Sequence, residues 1–160
     1  MNGALNALRR GVVEQLQACG LNAVAAMEPE RAARWRGPAV AVALSRVKCA
    51  PGGFQDYLGG PDGEELYGRA AEVILTLDIY APREGGAGAC QEAMDVICTE
   101  LLCRGAAGLT VLELEAGQVE FLEKLGLYRQ TARCLCRAWL TVRRGGSGGF
   151  VDFMVRGRTR

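Results

Sequence analysis

The chain has no histidine in its 160 residues. That absence removes the commonest general base, the commonest zinc ligand and the imidazole partner of a serine or cysteine nucleophile. Aromatic residues make up only 6% of the chain, and no Cys-x-x-Cys pair occurs. No apolar run approaches the ~20 residues that cross a bilayer, and the opening M-N-G-A-L-N-A-L-R-R lacks the apolar core of a signal peptide. Neither sign of charge dominates: 19 basic and 18 acidic side chains leave +1. A surface that grips nucleic acid along its whole extent is therefore not expected, although a local basic patch is compatible with this balance.

Glycine is abundant, at 22 residues, but in no P-loop or dinucleotide spacing. Asp62, Glu64 and Glu65 lack the calcium-loop pattern. Ser45 and Ser147 have no histidine to activate them. Glu113, Glu115, Glu120 and Glu123 lie close in sequence, and Glu113 and Glu115 point to one face of a strand. Such a pair suits acid–base work or a hard cation, but a solvated strand face is the simpler account. The sequence thus predicts no catalytic, cofactor or metal site, and a protein that is not an enzyme.

Seven cysteines stand out for this length: Cys19, Cys49, Cys90, Cys98, Cys103, Cys134 and Cys136. Their number is odd and most sit in apolar patterns. They read as reduced, mostly buried small hydrophobes in a reducing cytoplasm. Cys134 and Cys136 share a strand face, with sulfurs expected roughly 7 Å apart from the strand rise.

Hydrophobic periodicity organises the chain. Leu5, Leu8, Val12, Leu16 and Cys19 mark a helix that Gly20 stops. Residues 21–27 read as a short strand or extended segment. The polar, proline-punctuated stretch that follows is a surface connection, with Trp35 packed on the domain among arginines. Strands are predicted over 39–49, 70–80, 109–115, 131–143 and 150–156. A helix is predicted over 88–103, with Cys90, Met94, Ile97 and Leu101 as its stripe and Ala93 and Cys98 alongside. Residues 117–130 fit neither period and read as an extended or bulged lead into the next strand. The glycine-rich loop over 50–68 embeds Phe54, Tyr57 and Leu58; its length and aromatics predict that it docks against a neighbour. The result is one α+β domain over 1–160: an antiparallel or mixed sheet of four to five strands, two main helices on one face, and a basic C-terminal tail.

The stretch Thr131–Arg143, T-A-R-C-L-C-R-A-W-L-T-V-R, carries the most information. Its even positions, Ala132, Cys134, Cys136, Ala138, Leu140 and Val142, are small and apolar. Its odd positions include Arg133, Arg137, Trp139 and Arg143. Side chains alternate across a strand, so one face belongs to a core under a helix and the other is open to a partner.

Several features together resemble the tail-terminator or tail-completion proteins of long-tailed phages, as found in prophages. They are the opening amphipathic helix, the strand A-V-A-V-A-L, the loop G-G-F-Q-D-Y-L-G, the strand I-L-T-L-D-I-Y-A-P, the helix with D-V-I-C-T-E-L-L, the strand G-L-T-V-L-E-L and the long closing strands. The resemblance covers most of the chain and rests on layout. It implies a non-enzymatic α+β subunit without cofactor, in a ring, typically a hexamer, that caps the tail tube and meets head-completion proteins. It also implies the bacterial cytoplasm, or the virion tail of a functional phage, as location. Phe54, Tyr57, Leu58, Arg133, Arg137, Trp139 and Arg143 are the candidate contact residues. A second reading stays open: a small α+β module that binds nucleic acid or a small ligand through Arg133, Arg137 and Trp139.

Overall fold

The computed structural model describes residues 3–25, 29–49, 65–106, 108–144 and 150–156. The elements run α1 (Ala4–Ala18), β1 (Asn22–Ala25), α2 (Pro29–Ala32), β2 (Ala39–Cys49), β3 (Glu65–Pro82), α3 (Gly86–Cys98), β4 (Thr110–Ala116), β5 (Glu120–Leu122), β6 (Leu127–Arg144) and β7 (Phe150–Arg156). A 3-10 turn over Arg83–Gly85 precedes α3, and a π-helical turn over Thr99–Arg104 extends it.

The fold is α+β, with seven strands in one mixed sheet among the described residues. Five long strands match the predicted ones, and the short β1 and β5 join them. The order is β1-β2-β3-β6-β4. Among the described residues only β1 and β2 pair in parallel; the connection through α2 lets the chain return for that pairing. The long central pair β3 and β6 keeps register from Glu65 opposite Arg144 to Pro82 opposite Leu127. On its other edge β6 serves three strands in succession: β5 at Leu127–Arg129, β4 at Ala132–Arg137 and β7 at Trp139–Arg144.

Two predicted boundaries move. β3 begins at Glu65, not near residue 70, so the last residues of the supposed loop are strand. The ambiguous segment resolves into β5, a turn and the start of β6. In that turn Gly126 takes φ +64°, a left-handed conformation that glycine adopts more readily than any other residue.

The core lies between one face of the sheet and the helices α1 and α3. Leu8, Val12, Val13 and Leu16 come from α1; Cys90, Ala93, Met94 and Ile97 come from α3; Leu101 follows on the π turn. They meet Val40, Val42, Val73, Leu75, Leu77, Ile79, Ala132, Cys134, Cys136 and Ala138 of the sheet. The small even-numbered side chains of β6 are 0–1% exposed from Ala132 to Ala138, which lets α3 approach closely. The side-chain amide of Gln15 donates to the Gly105 carbonyl at 2.8 Å and so ties α1 to the end of the π turn. No helix among the described residues is long and apolar enough to cross a membrane.

A smaller cluster, Ala32, Ala41, Tyr80 and Leu127, packs at one end of the opposite face, beneath α2 and the β5–β6 turn. Trp35 is half-buried, as expected, while Arg31, Arg34 and Arg36 are exposed.

Candidate functional site

Beyond that small cluster and the buried Thr141, the described side chains of the second face are exposed or half-buried, and the cross-strand register sets its composition. Directly opposed residues share a face. One row runs Lys48, Glu72, Arg137, Thr110; the next Arg46, Ile74, Leu135, Glu113; the next Ala43, Thr76, Arg133, Glu115. Asp78 and Thr131 follow, joined by a hydrogen bond in which the threonine hydroxyl donates to the carboxylate at 2.7 Å. An open cleft of about 140 Å³ lies over the middle of this face, lined by Ile74, Leu135, Arg133, Glu113 and Glu115.

The sequence pattern of each strand explains this face. β3 alternates Val73, Leu75, Leu77 and Ile79 inward with Glu72, Ile74, Thr76 and Asp78 outward. β2 and β4 each carry a bulge, between Leu44 and Arg46 and between Val111 and Glu113. The Ser45 hydroxyl at the first bulge donates to the Ile74 carbonyl at 3.1 Å, which secures the irregular backbone. Past the bulges, Arg46 and Lys48 on β2 and Glu113 and Glu115 on β4 all stand exposed on the open face.

Of the predicted contact residues, Arg133 and Arg137 are exposed on this face, and Trp139 is half-buried on it. Arg143 occupies β6 between Leu66 of β3 and Asp152 of β7. Phe54, Tyr57 and Leu58 lie outside the described residues. The arginines are not a basic stripe: Glu72 stands opposite Arg137, and Glu115 opposite Arg133. Leu135 lies on this face as the odd-numbered alternation of β6 predicts, whereas Arg46, Lys48, Glu72 and Ile74 were not assigned to it from sequence. The signal lay in the alternation of β2 and β3, but only the register brings these residues into rows.

On the core side, all seven cysteines are free of disulfides. Cys90, Cys134 and Cys136 are buried, Cys19 and Cys98 half-buried, and Cys49 and Cys103 exposed. Burial therefore holds for fewer thiols than expected, because Cys49 ends an open strand edge and Cys103 lies on the outer side of the π turn. Burial pushes the Cys90 thiol up. The thiol–thiol contact pushes Cys136 up, with burial adding to it, and pulls Cys134 down. Both sulfurs lie in an apolar layer, where a thiolate is poorly solvated, so the direction that governs the pair is upward. No group of three or more metal-ligating side chains occurs among the described residues.

Compared with known proteins, the chain matches no family model and no curated relative.

Proposed function

We propose that the protein is a structural, non-enzymatic component of a phage tail that assembles into a ring, as its resemblance to tail terminators implies. In that role a hexameric ring caps the tail tube and meets head-completion proteins. The observation that carries the reading is the asymmetry of the sheet. One face is sealed by α1 and α3, and the other presents an apolar centre, Ile74 and Leu135, among charged and polar side chains. An apolar centre with a polar rim is the make-up of a protein contact.

The same face favours protein over nucleic acid. Arg46, Lys48, Arg133 and Arg137 are offset by Glu72, Asp78, Glu113 and Glu115, so it offers phosphates little net attraction. Electron microscopy and native mass measurement of the purified protein test the proposal. Rings of one defined subunit number are expected. A monomer that binds single-stranded nucleic acid with steep salt dependence would overturn the assembly reading in favour of the binding module.

A further inference from the structure

Among the described residues, two of the sheet's free edge stretches, one on β2 and one on β4, differ in charge. β1 pairs with β2 only from Ala39 to Val42, so among the described residues no strand covers Ala43–Cys49 on that side. At the opposite edge β4 pairs only with β6, and no described strand covers its outer side. Each edge has a regular four-residue run just past its bulge: Arg46–Cys49 on β2 and Glu113–Ala116 on β4. The first presents Arg46 and Lys48 to the open face, and the second presents Glu113 and Glu115 to the same face. Both pairs are exposed and have the two-residue spacing of strand neighbours.

We propose that a second copy of this chain pairs its β4 edge with the free β2 edge, so that Glu113 and Glu115 of one subunit face Lys48 and Arg46 of the next. The inference rests on the ring reading above and names its contact. Strand direction permits it. β2 is antiparallel to β3, β3 to β6 and β6 to β4. Hence β2 and β4 run in opposite directions, and a neighbour generated by rotation about an axis along the strands brings β4 to β2 as an antiparallel pair.

Register permits it too. Without stagger, Arg46 and Glu113 occupy the same row, that of Ile74 and Leu135. A stagger of two residues, ~7 Å along the strand, sets Lys48 opposite Glu113 and Arg46 opposite Glu115. A sheet that closes on itself requires such a stagger. The shift moves the end of β4 away from β1, which already occupies β2 as far as Val42. The contact is heterologous, one patch against a different one, and such contacts generate rings. The bulges at Ser45 and Leu112 and the like charges within each edge discourage β2–β2 and β4–β4 pairing.

Charge reversal tests the contact. Glu113→Lys with Glu115→Lys makes both edges basic, and Arg46→Glu with Lys48→Glu makes both acidic. Each variant is expected to fold, by circular dichroism and thermal melting, yet to need at least ~tenfold more protein to form rings. An equimolar mixture of the two is expected to restore rings, since each edge then finds its opposite. A chain with all four changes is expected to assemble by itself. Rings of unchanged stability in either variant, or a mixture that is not rescued, would overturn the edge contact while leaving the ring reading in place. A wild-type protein that stops at a dimer would overturn it in favour of a two-fold contact through the open face. A wild-type protein that remains monomeric overturns both.

Discussion

Cys134 and Cys136 hold their sulfurs 3.5 Å apart on the helix-facing side of β6. That is half the separation that strand rise alone gives, because the two side chains lean toward each other in the narrow layer beneath α3. The contact is a thiol–thiol hydrogen bond, and Cys136 also approaches the Cys134 carbonyl at 3.8 Å. Small side chains here, in place of leucine or isoleucine, set the distance between helix and sheet.

The two faces of β6 respond oppositely to charge. Cys136→Arg puts an uncompensated cation into a layer that is 0% exposed, at a cost of several kcal/mol. Loss of the cooperative unfolding transition is expected. Arg137→Glu changes an exposed side chain but sets two carboxylates directly opposite each other at Glu72, so the monomer should lose about 1 kcal/mol and stay folded. Ring formation should nonetheless weaken, read as a shift in oligomer mass at fixed concentration. Unfolding by Arg137→Glu with tolerance of Cys136→Arg would invert the face assignment.

Thiol burial sets an alkaline limit on stability. The Cys90 thiol is pushed above its ordinary 9.0 by burial, and Cys136 is pushed up as well. A folded-state value above the unfolded one means that the folded protein holds its proton more tightly. The contribution is therefore complete below about 9 and is lost as pH rises through the folded values. Urea midpoints should be flat from pH 7 to about 9 and fall beyond it. Cys90→Ala should flatten that fall, and an unchanged slope would assign it to other groups.

Much of this architecture was legible because local signals agreed with one another. The alternation of A-V-A-V-A-L-S-R-V-K-C marked β2 at its observed limits, and the stripe Cys90, Met94, Ile97 and Leu101 marked the helical face that is buried. Local pattern starts β3 too late because Gly68 and the glycine-rich stretch before it weaken strand propensity. Pairing with β6 overrides that weakness as far back as Glu65. β5 escaped notice because three residues show no period. The open face was half legible: alternation identified Arg133 and Arg137. The rows that put Glu72 beside Arg137 and Arg46 level with Glu113 depend on long-range register, which no local pattern encodes.

Gly126 tests the turn that delivers the chain into β6. Its φ is +64°, and a Cβ placed there meets nothing within 4 Å. Only backbone strain is at stake, so Gly126→Ala should cost ~1 kcal/mol. Gly126→Asn should cost less, since asparagine tolerates the left-handed region. Equal stability of all three in denaturant titrations would show that the turn relaxes to another conformation.

The Asp78–Thr131 pair tests whether the central strands are also joined through side chains on the open face. The threonine hydroxyl donates to the carboxylate at 2.7 Å, between residues directly opposed on β3 and β6. Both are only partly buried, so water competes for the same groups, and the coupling should be modest, ~1 kcal/mol. Asp78→Ala and Thr131→Ala, singly and together, form the double-mutant cycle that isolates it. Each single change should destabilise, and the double variant should lose less than the sum. Strict additivity in urea unfolding would mean that the bond contributes nothing and that backbone pairing and the inward layer alone hold β3 to β6 at this position.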